Sequence, residues 1–462
     1  MRLPEHAARA IAQLEQAGFE AWAVGGCVRD SLRGAEPHDW DLCTAAFPAE
    51  MQAVFADERV LTTGLKHGTL TVLTPDGPLE ITTYRTEGGY SDGRHPDGVH
   101  FVRDIREDLS RRDFTVGAMA WHPERGLCDP FGGRKDLENG VLRAVGDADT
   151  RFEEDALRIL RGLRFAAKLG FAIEPETVSA MRRQAKRLDC IAAERIRDEL
   201  TGLLCGRYVQ RTLMQYADLI AAALPELAPM QGCQQQNAHH LYDVWEHTVR
   251  AVGQVPAVPA LRWAMLLHDS GKPACKTIDE QGVGHFRGHP RASLALSREL
   301  LPRLRFSSAD TERILLLVER HDAPLGDTEK LVRRSLSRIG EARFRDLLAV
   351  KKGDAVGQGT SRDSVAQLWR TEELLNRVLA QEQCFSLRQL EVNGRDMQSL
   401  GLCGAAIGEM LQYLLDAVID GQTANEREAL LALAQERMVQ LLAVGRDDAA
   451  RRMDTHPNGG TT

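Results

Sequence analysis

Nowhere does the chain hold an uninterrupted apolar stretch of the ~18 residues that a membrane-spanning helix needs, which excludes a helical integral membrane protein. The opening residues Met1-Arg2-Leu3-Pro4-Glu5-His6 carry no apolar leader core, so a cytoplasmic location is the expectation. No Cys-x-x-Cys pair occurs among the nine cysteines. An odd count without such pairs argues against a zinc ribbon or a disulfide framework and for scattered reduced thiols. Repeats and low-complexity tracts are absent too. Positive charge is in deficit, with a net charge of −8. A nucleic-acid partner would therefore need a local basic surface, because phosphate contacts require Lys and Arg. Arg182-Arg183-Gln184-Ala185-Lys186-Arg187, with Arg195 and Arg197, is one such concentration that a helix could gather along one side; a solvated helical face explains it equally.

What is present is length and a single change of texture. With 462 residues and 43% hydrophobic content the chain can bury several cores, and length suggests about three domains. Strand-like runs are confined to residues 20–131. They include Ala21-Trp22-Ala23-Val24 and a hairpin in which Thr69–Thr74 turns at Asp76-Gly77 into Leu79-Glu80-Ile81-Thr82. From about residue 149 apolar residues recur at three- and four-residue spacing, the helical period. The fold class expected is a small α/β head, with a mixed or antiparallel sheet, on a long all-α body. Residues 86–97, with Gly88, Gly89, Gly93 and Pro96, read as a mobile loop between the halves of the head, and residues 448–462 as a disordered tail.

The chemistry concentrates in Gly25-Gly26-Cys27-Val28-Arg29-Asp30 followed by Asp39-Trp40-Asp41. A paired-glycine turn opening a helix leaves backbone N–H groups free to hold a triphosphate. Alternation of Trp40 and Leu42 against Asp39 and Asp41 fits a strand that points both carboxylates to one face. Hard oxygen ligands suit Mg²⁺, and two such ions roughly 3.5–4 Å apart can activate an attacking hydroxyl and neutralise leaving pyrophosphate. Glu80 falls on the polar face of the second hairpin strand.

These residues, with Gly68-Thr69-Leu70, Asp108-Leu109-Ser110-Arg111-Arg112-Asp113-Phe114-Thr115, Asp129-Pro130-Phe131-Gly132-Gly133 and Arg151-Phe152-Glu153-Glu154-Asp155-Ala156-Leu157-Arg158, resemble the bacterial class II tRNA nucleotidyltransferase and poly(A) polymerase family, in order, over residues 20–200. The resemblance implies Asp39, Asp41 and Glu80 as catalytic acids, with Mg²⁺ on Asp39 and Asp41. It also implies nucleotide contacts from Gly25, Gly26, Arg29, Arg111, Arg112 and Asp113, where an arginine serves the triphosphate and the aspartate the ribose. Gly117 stands where the family usually has asparagine, which leaves a partner of Asp113 missing or replaced.

Residues 153–169 read as one helix, so Asp155 and Arg158 share a face. A carboxylate beside a guanidinium can accept from the exocyclic amine of cytosine or adenine and donate to the adjacent ring acceptor. Uracil and guanine present the opposite pattern, at a cost of about 1–3 kcal/mol per unpaired buried group. An ordinary helix salt bridge is the alternative; the positions coincide with the family's Glu-Asp-x-x-Arg nucleotide-selecting motif. Arg161 and Arg164 continue the spacing toward phosphates.

A second set follows: His247, His268-Asp269, His285, His289, His321-Asp322 and Asp354. His268-Asp269-Ser270-Gly271-Lys272 resembles the HD superfamily of metal-dependent phosphohydrolases. That resemblance implies His247, His268, Asp269 and Asp354 as ligands of a transition metal such as Mn, Ni or Co, with His289 and His321 completing a second site. Leu390–Leu402, with its Asn393-Gly394-x-Asp396 turn, resembles the tRNA-contacting region of bacterial CCA-adding enzymes. The implied domains are 1–148 head, 149–232 neck with the nucleotide-selecting helix, 233–355 HD domain and 356–447 body. The function implied is addition of CCA to the tRNA 3′ end from CTP and ATP. A poly(A) polymerase, a partial CC- or A-adding enzyme, and an HD phosphohydrolase using the head to bind RNA are the alternatives. The sequence leaves the oligomeric state open.

Overall fold

The computed structural model of the protein describes residues 1–88, 98–237, 241–359, 362–381 and 383–454. The chain forms two compact units, Met1–Glu319 and Arg320–Thr462.

The first unit opens with the strands β1 (Ala21–Val24), β2 (Asp41–Thr44), β3 (Val60–Leu61), β4 (Thr69–Thr74), β5 (Gly77–Thr83), β6 (Arg85–Gly88), β7 (Gly98–Phe101), β8 (Ala120–His122) and β9 (Gly126–Cys128). Seven of them form a sheet in the order β3-β4-β5-β2-β1-β8-β9, while β6 and β7 pair as a separate hairpin. Within the sheet only β2 and β5 run parallel, so the sheet is mixed, as expected. The expected β4–β5 hairpin is present, pairing Thr74 with Gly77 and Thr69 with Thr82, with Gly77 at φ 126 opening its second strand. Of the predicted loop, residues 86–88 belong to β6, and 89–97 lie outside the described residues.

Strand β2 begins at Asp41, so Asp39 lies two residues before it rather than within it. On one side β1 pairs Ala23 with Leu42 and then gives way to a turn at Gly25. On the other, the parallel register Asp41↔Glu80 would bring Asp39 opposite Pro78, which has no N–H to donate. The ladder stops for lack of partners.

Apolar side chains from both secondary-structure types close the head. Trp22, Val24, Cys43, Tyr84, Ile105, Leu109, Ala118, Ala120 and Val145 form one buried cluster. Helix Glu5–Gln16 buries Ala7, Ala10, Ile11 and Leu14, the three- and four-residue spacing of an amphipathic helix.

Beyond the head the helix predicted over 153–169 is two helices, Ala148–Glu154 and Leu157–Leu169, separated by Asp155 in an extended conformation (φ −144, ψ 103). The Asp155 carboxylate accepts the backbone N–H of Leu157 at 2.9 Å. Such a local side-chain bond competes with helix continuation and starts a new one. Nor is β structure confined to residues 20–131. Val141–Leu142 pairs in parallel with Ala172–Ile173, and Thr277–Ile278 pairs with Gly284–His285, two-residue ladders too short to show a period.

The second unit is helical among its described residues. Helices Ala405–Ile419 and Arg427–Asp454 pack around Val392, Met397, Met410, Leu414, Leu415, Ile419 and Leu430. Asn393 and Asp396 form a reciprocal capping box, with Asn393 accepting from Arg395 N at 2.9 Å and Asp396 accepting from Asn393 N at 2.8 Å. Asp396 also pairs with Arg427, which ties the turn to the last helix. Helix Arg427–Asp454 runs through residue 448, where the sequence reads as disordered, because Arg, Ala and Met there favour helix. Residues 455–462 lie outside the described residues. Among the described residues no helix is long and apolar enough to cross a membrane.

Candidate active site

Strand β1 delivers the chain to Gly25, which takes φ +81, a left-handed conformation open to glycine. Helix Gly26–Leu32 starts immediately after. A Cβ at Gly25 would stand 2.9 Å from Arg112 Nη1, so the missing side chain is what admits the Arg112 guanidinium beside the turn. Arg29, grouped by sequence with the nucleotide contacts, is buried and grips Asp30 with a two-point fork of 2.8 Å bonds.

The parallel register of β2 and β5 sets Asp41 directly beside Glu80, and all three predicted acids, Asp39 included, are exposed at this edge. The packing around the Asp41 carboxyl raises its pKa above the usual value; the negative charges of Glu80 and Asp39 push the same way, and Arg112 opposes them. A divalent cation held among these carboxylates would offset their mutual repulsion. The donor set is carboxylate oxygen throughout, which suits Mg²⁺. The residues therefore fit divalent ions such as Mg²⁺.

One residue that sequence reasoning passed over organises the arginines. Asp108, on helix Ile105–Ser110, is 1% exposed. It accepts from Arg111 at 2.9 Å, from Arg112 at 3.4 Å and from the Arg85 backbone N–H at 3.3 Å. Burial alone would raise its pKa, but the two guanidiniums outweigh burial and the net shift is downward. The available signal was the spacing: an aspartate three and four residues before an Arg-Arg pair on a helix end faces both.

Asp113 accepts from Arg161 Nε at 2.7 Å and from Phe114 N at 2.9 Å. Its pKa too is lowered, burial being overcome by Arg161. A Cβ at Gly117 would lie 3.8 Å from Asp113 Oδ1, so the glycine leaves room there, and the partner of Asp113 comes from helix Leu157–Leu169 instead.

The helix break at Asp155 corrects the picture of Asp155 and Arg158 side by side on one helix face. Arg158, 8% exposed, donates to Glu154 at 2.6 Å, to Arg151 O at 3.1 Å and to Arg111 O at 3.0 Å. Asp155 accepts from Arg195 Nη2 at 3.1 Å. The Arg158 N–H still donates to the Asp155 carbonyl at 3.0 Å, which keeps the two residues adjacent across the break. Arg164 is paired with Glu199, as Arg161 is with Asp113, so both predicted phosphate contacts already meet carboxylates.

Two residues of the basic concentration are held in ion pairs, Arg182 with Asp218 at 2.7 Å and Arg183 with Asp149 at 2.5 Å and Glu176 at 2.7 Å, while Arg187 donates to the Glu153 carbonyl at 2.9 Å. The helix of Arg182 and Arg183 ends at Gln184 and a tighter 3₁₀ segment follows, so no single helical face gathers these residues.

In the same unit His247, His268 and His289 converge on Asp269. Their Nε2 atoms lie 3.3, 3.2 and 3.3 Å from its carboxylate oxygens, and Lys272 Nζ lies 2.8 Å from Oδ2. Burial opposes ionisation of Asp269, yet His268, Lys272 and His247 hold its pKa well below the usual carboxylate range. Imidazole nitrogens around a carboxylate form a donor set that a transition metal accepts. His285 pairs with Asp279 at 2.7 Å instead. His321 and Asp354 belong to the second unit, where with Asp322 and Lys351 they line a cavity of about 360 Å³.

Residues 21–143 match the family described as Poly A polymerase head domain, and residues 170–231 the one described as Probable RNA and SrmB- binding site of polymerase A. The CCA-adding enzyme of Levilactobacillus brevis is 34% identical over 437 residues, covering 93% of this chain and 98% of its own. The chain belongs to the family of CCA-adding enzymes. It is thus a nucleotidyltransferase. The Limosilactobacillus fermentum CCA-adding enzyme is 48% identical over a shorter stretch of 208 residues, 45% of this chain and 52% of that one. Among solved structures, the Bacillus stearothermophilus CCA-adding enzyme in complex with CTP superposes with a TM-score of 0.70 at 29% identity, covering 96% of this chain and all of that one. In this CCA-adding family member the head and helical body follow one another as the family architecture requires.

Proposed function

We propose that the protein adds C, C and A to the 3′ end of tRNA from CTP and ATP without a nucleic-acid template. The observation that carries this reading is the register placing Glu80 beside Asp41, with Asp39 near enough to raise the Asp41 pKa. In the reaction the RNA 3′-hydroxyl oxygen attacks the α-phosphorus of the nucleotide, a new P–O bond forms as the bond to the α,β-bridging oxygen breaks, pyrophosphate leaves, and the hydroxyl proton passes to solvent. Asp39, Asp41 and Glu80 would hold Mg²⁺, which supplies charge neutralisation and activation of the hydroxyl when bound. The protein's own share is positioning and electrostatics. The Gly25-Gly26 turn and Arg112 receive the triphosphate, with Arg111 and Arg112 held in place by Asp108. Asp113, fixed by Arg161, serves the ribose. Asp155 presents its carboxylate to the Watson–Crick edge and favours the exocyclic amine of C and A over the carbonyl of U and G, while Arg158, bonded to Glu154, Arg151 O and Arg111 O, braces the helix break beside it. The setting for this work is the cytoplasm.

The test is extension of a tRNA ending at the discriminator base with CTP, ATP and Mg²⁺, sized at single-nucleotide resolution, alongside the Asp39→Ala, Asp41→Ala double variant. Growth by three nucleotides that the variant lacks supports the reading. Growth by two, or a long ladder, would replace it with a CC-adding enzyme or a poly(A) polymerase.

A second activity is favoured by the convergence of His247, His268 and His289 on Asp269. An HD-type centre built on these residues would hold a transition metal that could activate water against a phosphate ester at a damaged RNA end. Hydrolysis of a 2′,3′-cyclic phosphate with added Mn²⁺, Ni²⁺ or Co²⁺, lost in His268→Ala but retained in the Asp39→Ala, Asp41→Ala variant, is the expected result. No hydrolysis with any of these ions would remove the proposal.

A further inference from the structure

Asp155 is held from two sides. Its Oδ1 accepts the Leu157 N–H at 2.9 Å, and its Oδ2 accepts from Nη2 of Arg195, 40 positions along the chain on helix Ala193–Leu204, at 3.1 Å. The other terminal nitrogen of Arg195, Nη1, is buried and has no hydrogen-bond partner. Leaving a buried donor unpaired costs about 1–3 kcal/mol, and more when it is charged. A fold that keeps such a donor beside a nucleotide-reading carboxylate has a use for it once an acceptor arrives. Arg158 is in a different position, since its terminal nitrogens already serve Glu154, Arg151 O and Arg111 O. Helix Ala193–Leu204 also supplies Glu199, the partner of Arg164, so it braces helix Leu157–Leu169 at one point and Asp155 at another.

We infer that Arg195 is a positioning residue for nucleotide selection: it locks the Asp155 carboxylate in one orientation and offers Nη1 to an acceptor oxygen of the bound nucleotide. The inference rests on the nucleotidyl-transfer reading above. A carboxylate held at both oxygens does not turn about its Cβ–Cγ bond, so its remaining lone pairs keep one direction. The exocyclic amine of cytosine or adenine satisfies them. The carbonyl of uracil or guanine, at the same place, meets acceptor with acceptor. Without Arg195 the carboxylate turns, and the wrong base no longer suffers the full penalty.

The experiment compares kcat/KM for CTP against UTP on tRNA lacking CCA, and for ATP against GTP on tRNA ending in CC. It uses the full chain, Arg195→Ala, Arg195→Lys and, as a surface control, Arg303→Ala, whose partner is Glu226. Arg195→Ala is expected to lower both discrimination ratios by about tenfold or more. Arg195→Lys keeps the cation without the planar fork and falls between; Arg303→Ala matches the parent. A loss of KM confined to CTP assigns Nη1 to the base carbonyl, whereas an equal loss for CTP and ATP assigns it to a phosphate. Discrimination unchanged within about twofold in Arg195→Ala, whatever its rate, overturns the inference. So does an unchanged ratio in Arg195→Lys should the alanine variant not fold. A parent protein that adds neither C nor A would instead overturn the function it rests on.

Discussion

Replacing Asp108 with asparagine keeps the side-chain shape and one acceptor for the Arg85 N–H, and removes only the charge that pins Arg111 and Arg112. Asp108 is 1% exposed, while the arginine side chains are 17% and 24% exposed. Breaking a fully buried pair costs about 3–5 kcal/mol because a charge is left uncompensated. Here the guanidiniums reach water, and solvent screening brings the expected loss to about 2–3 kcal/mol. The pH dependence has a definite sign. The folded Asp108 pKa is depressed, so its contribution is complete above the unfolded value of about 3.9 and is lost as pH falls through the lower folded value. Urea unfolding of parent and Asp108→Asn should therefore give a constant gap from pH 5 to 7 that narrows below about pH 4. The same variant frees Arg112 from its place beside Gly25, and KM for the nucleotide should rise about tenfold with a smaller change in kcat. A gap of less than about 0.5 kcal/mol at pH 7 together with an unchanged KM would refute the assignment of Asp108 as the hub of the arginine pair.

Asp41→Asn should cut CCA addition at least about a hundredfold in a quenched-flow assay, since a metal-holding carboxylate contributes several kcal/mol to such transition states. Chelation with EDTA should stop addition and Mg²⁺ restore it, while circular dichroism stays unchanged; a chelator-insensitive rate would contradict the metal reading. Gly133→Ala places a Cβ 2.1 Å from the Thr115 carbonyl oxygen, and its unfolding free energy should drop by about 3 kcal/mol or more. Gly117 lacks a positive φ, and its Cβ would have only Asp113 Oδ1 at 3.8 Å, so Gly117→Ala should be stable and gain about 0.4–1 kcal/mol.

How far the sequence could be read depended on whether each feature is local. The β4–β5 hairpin announced itself through alternation and a turn signal, whereas the place of Glu80 beside Asp41 came from the family resemblance, because the parallel pairing of β2 with β5 joins strands some forty residues apart. The interruption at Asp155 gave no periodic signal, because Asp155 stops one helix by capping the next with a bond only two residues long. Arg195, 40 residues away, and Arg161, 48 residues from the carboxylate it fixes, were invisible to spacing arguments for a different reason. Their partners are chosen by tertiary packing, and arginine spacing on a helix says only which face a side chain leaves from. The same limit explains the basic run at 182–187. Read in one dimension it is a row of free cations; in the fold Arg182 pairs with Asp218, and Arg183 with Asp149 and with Glu176 of its own helix. The local surplus of positive charge is thus smaller than the run suggests. With Arg182 and Arg183 kept in these pairs, lowering the ionic strength from about 200 to 50 mM should tighten tRNA binding by well under the 10³-fold expected of a protein that makes six or more phosphate contacts. A steeper dependence, measured by filter binding across that range, would mean that the paired arginines open to meet the RNA.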